Sequence, residues 1–133
     1  MKKAVRALAH RYSSMAIAAL QEVPKWGLFR SQYLSVRSAV GCDCAIVLPN
    51  QLVKDIKWEV HAKYWSLVLV AGMILVSAHV LDYNAGSSDT LDAVSDGIAI
   101  ARSKASALDM TVTCHMGVDA NVSYSQPRPG LLG

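Results

Sequence analysis

Between Tyr64 and Leu81 the chain runs for 18 residues without a formal charge, bounded by Lys63 and Asp82. As a helix rising ~1.5 Å per residue, the run covers about 27 Å, close to the ~30 Å of hydrocarbon in a bilayer. The pattern therefore predicts a transmembrane helix over 64–81. Ser66 and Ser77 can return hydrogen bonds to the preceding turn, and His79 falls in the last turn, within reach of the interface. Lys57, Trp58, Lys63, Tyr64 and Trp65 gather at one end and Tyr83 at the other, the placement expected of side chains at headgroup depth. Ala71, Gly72 and Ala78 give a small-residue stripe where a second helix can pack.

The flanks carry helical periodicity. Pro24 suits a first helical turn, and Trp26, Phe29, Tyr33, Val36 and Val40 recur at steps of three and four. Gly41 to Pro49 breaks that stripe, Pro49-Asn50 reads as a turn, and Gln51 to Lys63 reads as a short helix entering the span. Beyond the span, Tyr83 to Asp89 is turn chemistry with Ser88 as an N-cap, and Asp89 and Asp92 lie where a helix dipole favours acids. Leu91, Val94, Ile98, Ala101, Ala105 and Leu108 then mark a helix over 89–109, weakened by Gly97. Thr111 to Gly133 reads as an extended tail. The expected fold is all-α: a basic arm over 1–23, amphipathic helices over 24–63, the span over 64–81, and a helix with an extended tail over 82–133.

Composition narrows the function classes. The chain has 133 residues, 53% of them hydrophobic and 17% charged, which fits one unit with much to bury and excludes a disordered chain. The net charge of +3 conceals a gradient: residues 1–40 sum to +6 and residues 82–133 to −3. A single basic arm without a second basic face argues against nucleic acid. Cys42 and Cys44 are separated by one residue and Cys114 and His115 by none, whereas zinc ligand pairs usually stand two to four residues apart. The sequence reading is therefore no metal and no cofactor, with ordinary thiols. With no phosphate-binding glycine loop, nucleophile elbow or paired-carboxylate motif, the chain reads as not an enzyme by itself, with no small-molecule substrate of its own.

Met1 to Ser14 is amphipathic, bears arginine and serine and lacks acids, and so resembles a mitochondrial presequence. With one span and short amphipathic flanks, this layout resembles the supernumerary subunits of respiratory complexes. Ala101-Arg-Ser-Lys-Ala-Ser-Ala-Leu-Asp-Met-Thr-Val112 resembles the end of the intermembrane-space helix of cytochrome c oxidase subunit IV. The resemblance implies a non-catalytic accessory subunit of an oxidative-phosphorylation complex in the mitochondrial inner membrane. It would be single-pass, with its N-terminus in the matrix and its C-terminus in the intermembrane space, and its partners would be other subunits and membrane lipids such as cardiolipin. The charge gradient gives the same orientation by the positive-inside rule. Asp82-Tyr83 after an apolar run also resembles the quinone-site Asp-Tyr of succinate dehydrogenase membrane anchors. That alternative implies a quinone pocket of Asp82, Tyr83 and His79. A divergent ATP synthase membrane subunit is the third alternative.

Overall fold

A computed structural model describes residues 17–22 and 33–120. Residues 1–16 of the expected basic arm and the start of the first expected helix lie outside these residues, whereas the end of that arm, Ala18–Leu20, is a strand. The described chain is β-rich, in the order β1 (Ala18–Leu20), β2 (Leu34–Arg37), β3 (Ala45–Pro49), a 3-10 helix (Asn50–Asp55), β4 (Ile56–His61), β5 (Trp65–Val70), β6 (Met73–Val80), α1 (Asp89–Ala107) and β7 (Thr113–Ala120). The all-α expectation is therefore wrong. No helix among the described residues is long and apolar enough to cross a membrane. The single-pass inner-membrane placement, with its matrix and intermembrane-space ends, is corrected with it.

The apolar run is a β-hairpin. β5 and β6 pair antiparallel from Trp65↔Ala78 to Val70↔Met73, and the turn between them is Ala71-Gly72, with φ of +49° and +76°. Positive φ at both central residues is the signature of a type I′ turn, whose twist matches that of the flanking strands. The pair sits inside a four-stranded sheet of order β4-β5-β6-β7, and both of its faces are covered. On one side Leu67, Leu69, Ile74, Val76, Ala78 and Val80 pack under Val94, Ala101 and Ala105 of α1. On the other, Val68, Val70 and Leu75 meet Ile46 and Leu48 of β3. A strand buried on both faces loses most of its polar alternation and reads as a continuous apolar run, which is how two strands imitate one span.

The membrane-facing assignments change accordingly. Trp58 and Trp65 pack against the α1-side core, and Trp58 also lies 5.6 Å beneath the Lys104 ammonium. Lys63 covers the Tyr64 ring at 5.2 Å. Lys57 is the extra residue where the β4–β5 register shifts between Ile56 and Trp58. Ala71 and Gly72 form the hairpin turn, and Ala78 is a fully buried core residue, so the three make no stripe for a second helix. Val36 lies in β2 with Tyr33 just before it, and not in a helix, and Gln51 to His61 divides between the 3-10 helix and β4, with Ala62 and Lys63 leading into β5.

The expected helix after Ser88 is present as α1. The Ser88 hydroxyl accepts from the Leu91 N–H, and Asp89 and Asp92 stand in the first turn. Gly97 is buried there because a Cβ would lie 2.9 Å from Cη2 of Trp65. α1 carries the chain from β6 to β7, which pairs parallel to β6 along its whole length. Part of the expected tail is thus a strand. The second sheet, β1-β3-β2, is antiparallel and completes three layers: helix, four-stranded sheet, three-stranded sheet.

Candidate functional site

The interface between the two sheets is apolar around Ile46, Val68 and Leu75 and polar at its other end. Strand parity produces this second half. Ser66 on β5 and Ser77 and His79 on β6 project toward the three-stranded sheet, the face opposite α1, and all three are buried. Opposite them the loop before β3 supplies Cys42, Asp43 and Cys44.

His79 is the centre of one cluster. Its Nδ1 lies 2.7 Å from Oδ2 of Asp43, and a carboxylate can only accept, so Nδ1 carries a proton and Nε2 is the ring nitrogen left to face other groups. Nε2 has no hydrogen-bond partner among the described residues, although the side chain is only 9% exposed. It faces Oε1 of Glu22 at 3.8 Å and Oδ2 of Asp119 at 4.0 Å. The three ligand atoms lie within 4.8 Å of one another. Glu22 comes from the end of β1, His79 from the end of β6 and Asp119 from the end of β7. The pairing His79↔Asp119 in the parallel ladder sets the last two side by side.

A second cluster runs from Ser66 through β4. His61 Nδ1 is 2.8 Å from the Ser66 hydroxyl, and His61 Nε2 is 2.7 Å from Oε1 of Glu59. Arg37 closes the chain with two hydrogen bonds to the Glu59 carboxylate. Burial acts to raise the Glu59 pKa, but the hydrogen bonds from Arg37 and His61 outweigh it and hold the group below its ordinary value. Serine, histidine and glutamate in hydrogen-bonded series have the order of a hydrolytic triad. Here the serine is fully buried, and its hydroxyl lies 3.1 Å from the Cys44 carbonyl and 3.3 Å from the Cys42 thiol. No substrate atom could approach it, so the chain serves as a polar lock between β4, β5 and the Cys42–Cys44 loop.

The cysteines are free. Burial, with the neighbouring Asp43 carboxylate, pushes the Cys44 thiol far up and keeps it protonated. Cys114 packs with the α1-side core, across the sheet from Cys42 and Cys44. Cys42, Cys44 and Cys114 are therefore not brought into one cluster. His115 instead pairs with the Thr113 hydroxyl at 2.9 Å.

Asp82, Tyr83 and His79 do not form one pocket. Asp82 accepts from the Ser88 hydroxyl and from the Thr90 N–H at the start of α1, and these hydrogen bonds lower its pKa. Tyr83 is 40% exposed, and His79 turns to Asp43. Sequence reasoning singled out His79 for another purpose and missed Glu22, Asp43 and Asp119. Only the strand assignment of 73–80 and 113–120 would have aligned His79 with Asp119. No family model, curated protein or solved structure matches this chain.

Proposed function

We propose that the protein is a divalent-metal-binding domain in which Glu22, His79 and Asp119 are the ligands and Asp43 orients His79. The observation that carries this reading is the buried imidazole Nε2, without a hydrogen-bond partner among the described residues, facing two carboxylates at distances too long for hydrogen bonds. Two carboxylates turned toward one ring nitrogen are a donor set that a cation between them would stabilise. One nitrogen and two carboxylate oxygens suit Zn²⁺ and the neighbouring first-row ions Mn²⁺ and Fe²⁺. Bond lengths of ~2.0–2.2 Å place tetrahedral ligand atoms roughly 3.4 Å apart. Closing the set takes roughly half an ångström between Nε2 and each carboxylate and up to roughly 1.4 Å between the two carboxylates, movements that the exposed Glu22 and Asp119 side chains allow. The Asp43–His79 hydrogen bond fixes the tautomer that ligation needs, as outer carboxylates do for zinc-bound histidines.

The accessory-subunit reading rested on a transmembrane helix, and with that helix replaced by β5 and β6 it has no structural support. Isothermal calorimetry with zinc chloride tests the metal reading. One ion per chain is expected, with affinity falling roughly 10- to 100-fold in Asp43→Asn and binding lost in His79→Ala. Absence of zinc binding by the native protein would overturn the metal reading.

A further inference from the structure

We infer that cation occupancy at Glu22, His79 and Asp119 governs whether the β1 segment, residues 17–22, is docked on the rest of the domain. The inference rests on the metal reading above and adds a regulatory consequence to it.

The three ligands divide unequally. His79 and Asp119 stand on adjacent strands of the four-stranded sheet, whereas Glu22 follows β1, an edge strand of the other sheet. An ion shared among them therefore ties one sheet to the other. β1 is the weakest element to be tied: three residues, all only half-buried, paired on one side with β3 through Ala18↔Val47, Ala19↔Ile46 and Leu20↔Ala45. Its remaining attachments concentrate on two residues of the large sheet. Gln21 donates to the Ser77 hydroxyl at 2.9 Å and to the Gly117 carbonyl at 3.2 Å, and the Ser77 hydroxyl donates to the Leu20 carbonyl at 2.7 Å. Gly117 is required for this approach, because a Cβ there would stand 2.7 Å from the Ala19 Cβ. Glu22 itself has φ of +56°, a left-handed conformation that a non-glycine residue adopts only at an energetic cost. Undocking relieves that strain, and a bound cation opposes undocking.

The consequence reaches beyond the three ligands. Beneath β1 lies a cavity of about 190 Å³, walled by Ile17 and Ala19 on one side and by Leu75, His115 and Met116 on the other. Release of β1 removes one wall of this half-open space, and metal binding holds that wall in place. Short edge segments with few buried contacts open locally at low free energy, and a ligand bound more tightly by the closed form suppresses such opening by mass action.

Hydrogen exchange of the full chain, followed by mass spectrometry through a zinc titration, tests this. Amide exchange in residues 18–20 should slow as free zinc rises, by at most about 100-fold at one hundred times the dissociation constant and to a plateau set by the weaker affinity of His79 and Asp119 in the open form, while the C-terminal turn of α1 is unchanged. Glu22→Ala should retain weakened zinc binding through His79 and Asp119 and lose the slowing. By reciprocity, Gly117→Ala, which forces β1 outward, should weaken zinc binding measured calorimetrically. Unchanged exchange in β1 while calorimetry reports bound zinc would overturn the inference and leave the metal site standing, and equal slowing in β1 and α1 would overturn it likewise. Absence of binding heat would overturn both.

Discussion

Single residues carry strain and charge that can be measured directly. Ala71 holds a left-handed φ of +49° at the exposed hairpin turn, a conformation that costs a non-glycine L-residue about 1–2 kcal/mol and that asparagine tolerates better. Ala71→Asn creates the Asn-Gly pair preferred in type I′ turns and should stabilise the protein by about 0.5–1 kcal/mol, read as a higher urea midpoint at constant slope. Glu59 is the acid-sensitive residue of the polar lock. Its folded pKa lies below the ordinary value of 4.5, so it contributes stability above the unfolded pKa and loses that contribution as pH falls through the folded one. Glu59→Gln should cost about 1–2 kcal/mol at pH 7, the scale of partly exposed hydrogen bonds to charged groups. Urea denaturation repeated at lower pH should find the gap between variant and native protein narrowing below about pH 4.5.

Among elements, α1 was legible and the β5–β6 hairpin was not, for opposite reasons. α1 has only one buried face, so Val94, Ala101 and Ala105 recur at helical spacing, and Ser88 with Asp89 and Asp92 supplies a local start signal that depends on nothing distant. The hairpin is covered by α1 on one face and by β3 on the other, so its alternation survives only at Ser66, Ser77 and His79. Two local signals favoured strands: the density of β-branched residues from Val68 to Val80, and a glycine in mid-run at Gly72. Gly97 shows how tightly helix and hairpin fit. In an exposed helix Gly→Ala stabilises by about 1 kcal/mol, but here the methyl meets the Trp65 ring at 2.9 Å, and overpacking costs about 1–3 kcal/mol. Gly97→Ala should therefore lower the thermal midpoint. In a Trp65→Phe background the same change should be neutral or stabilising.

At the scale of the whole molecule, the candidate site was beyond sequence reading because its parts meet only after folding. Glu22, Asp43, His79 and Asp119 belong to four separate segments, and no spacing rule links them. The topology that unites them also sets an order of assembly. β6 receives β5 across a two-residue turn, but its other neighbour, β7, begins 33 residues after β6 ends. A nascent chain emerging from the ribosome therefore displays the free edge of β6, a row of unpaired backbone groups between Ile74 and Val80, until the codons for 113–120 have been translated. Such edges recruit other chains. A polypeptide ended at Asp109 should pellet on ultracentrifugation after dilution from urea, whereas one ended at Ala120 should remain in the supernatant, making β7 a guard against association during synthesis.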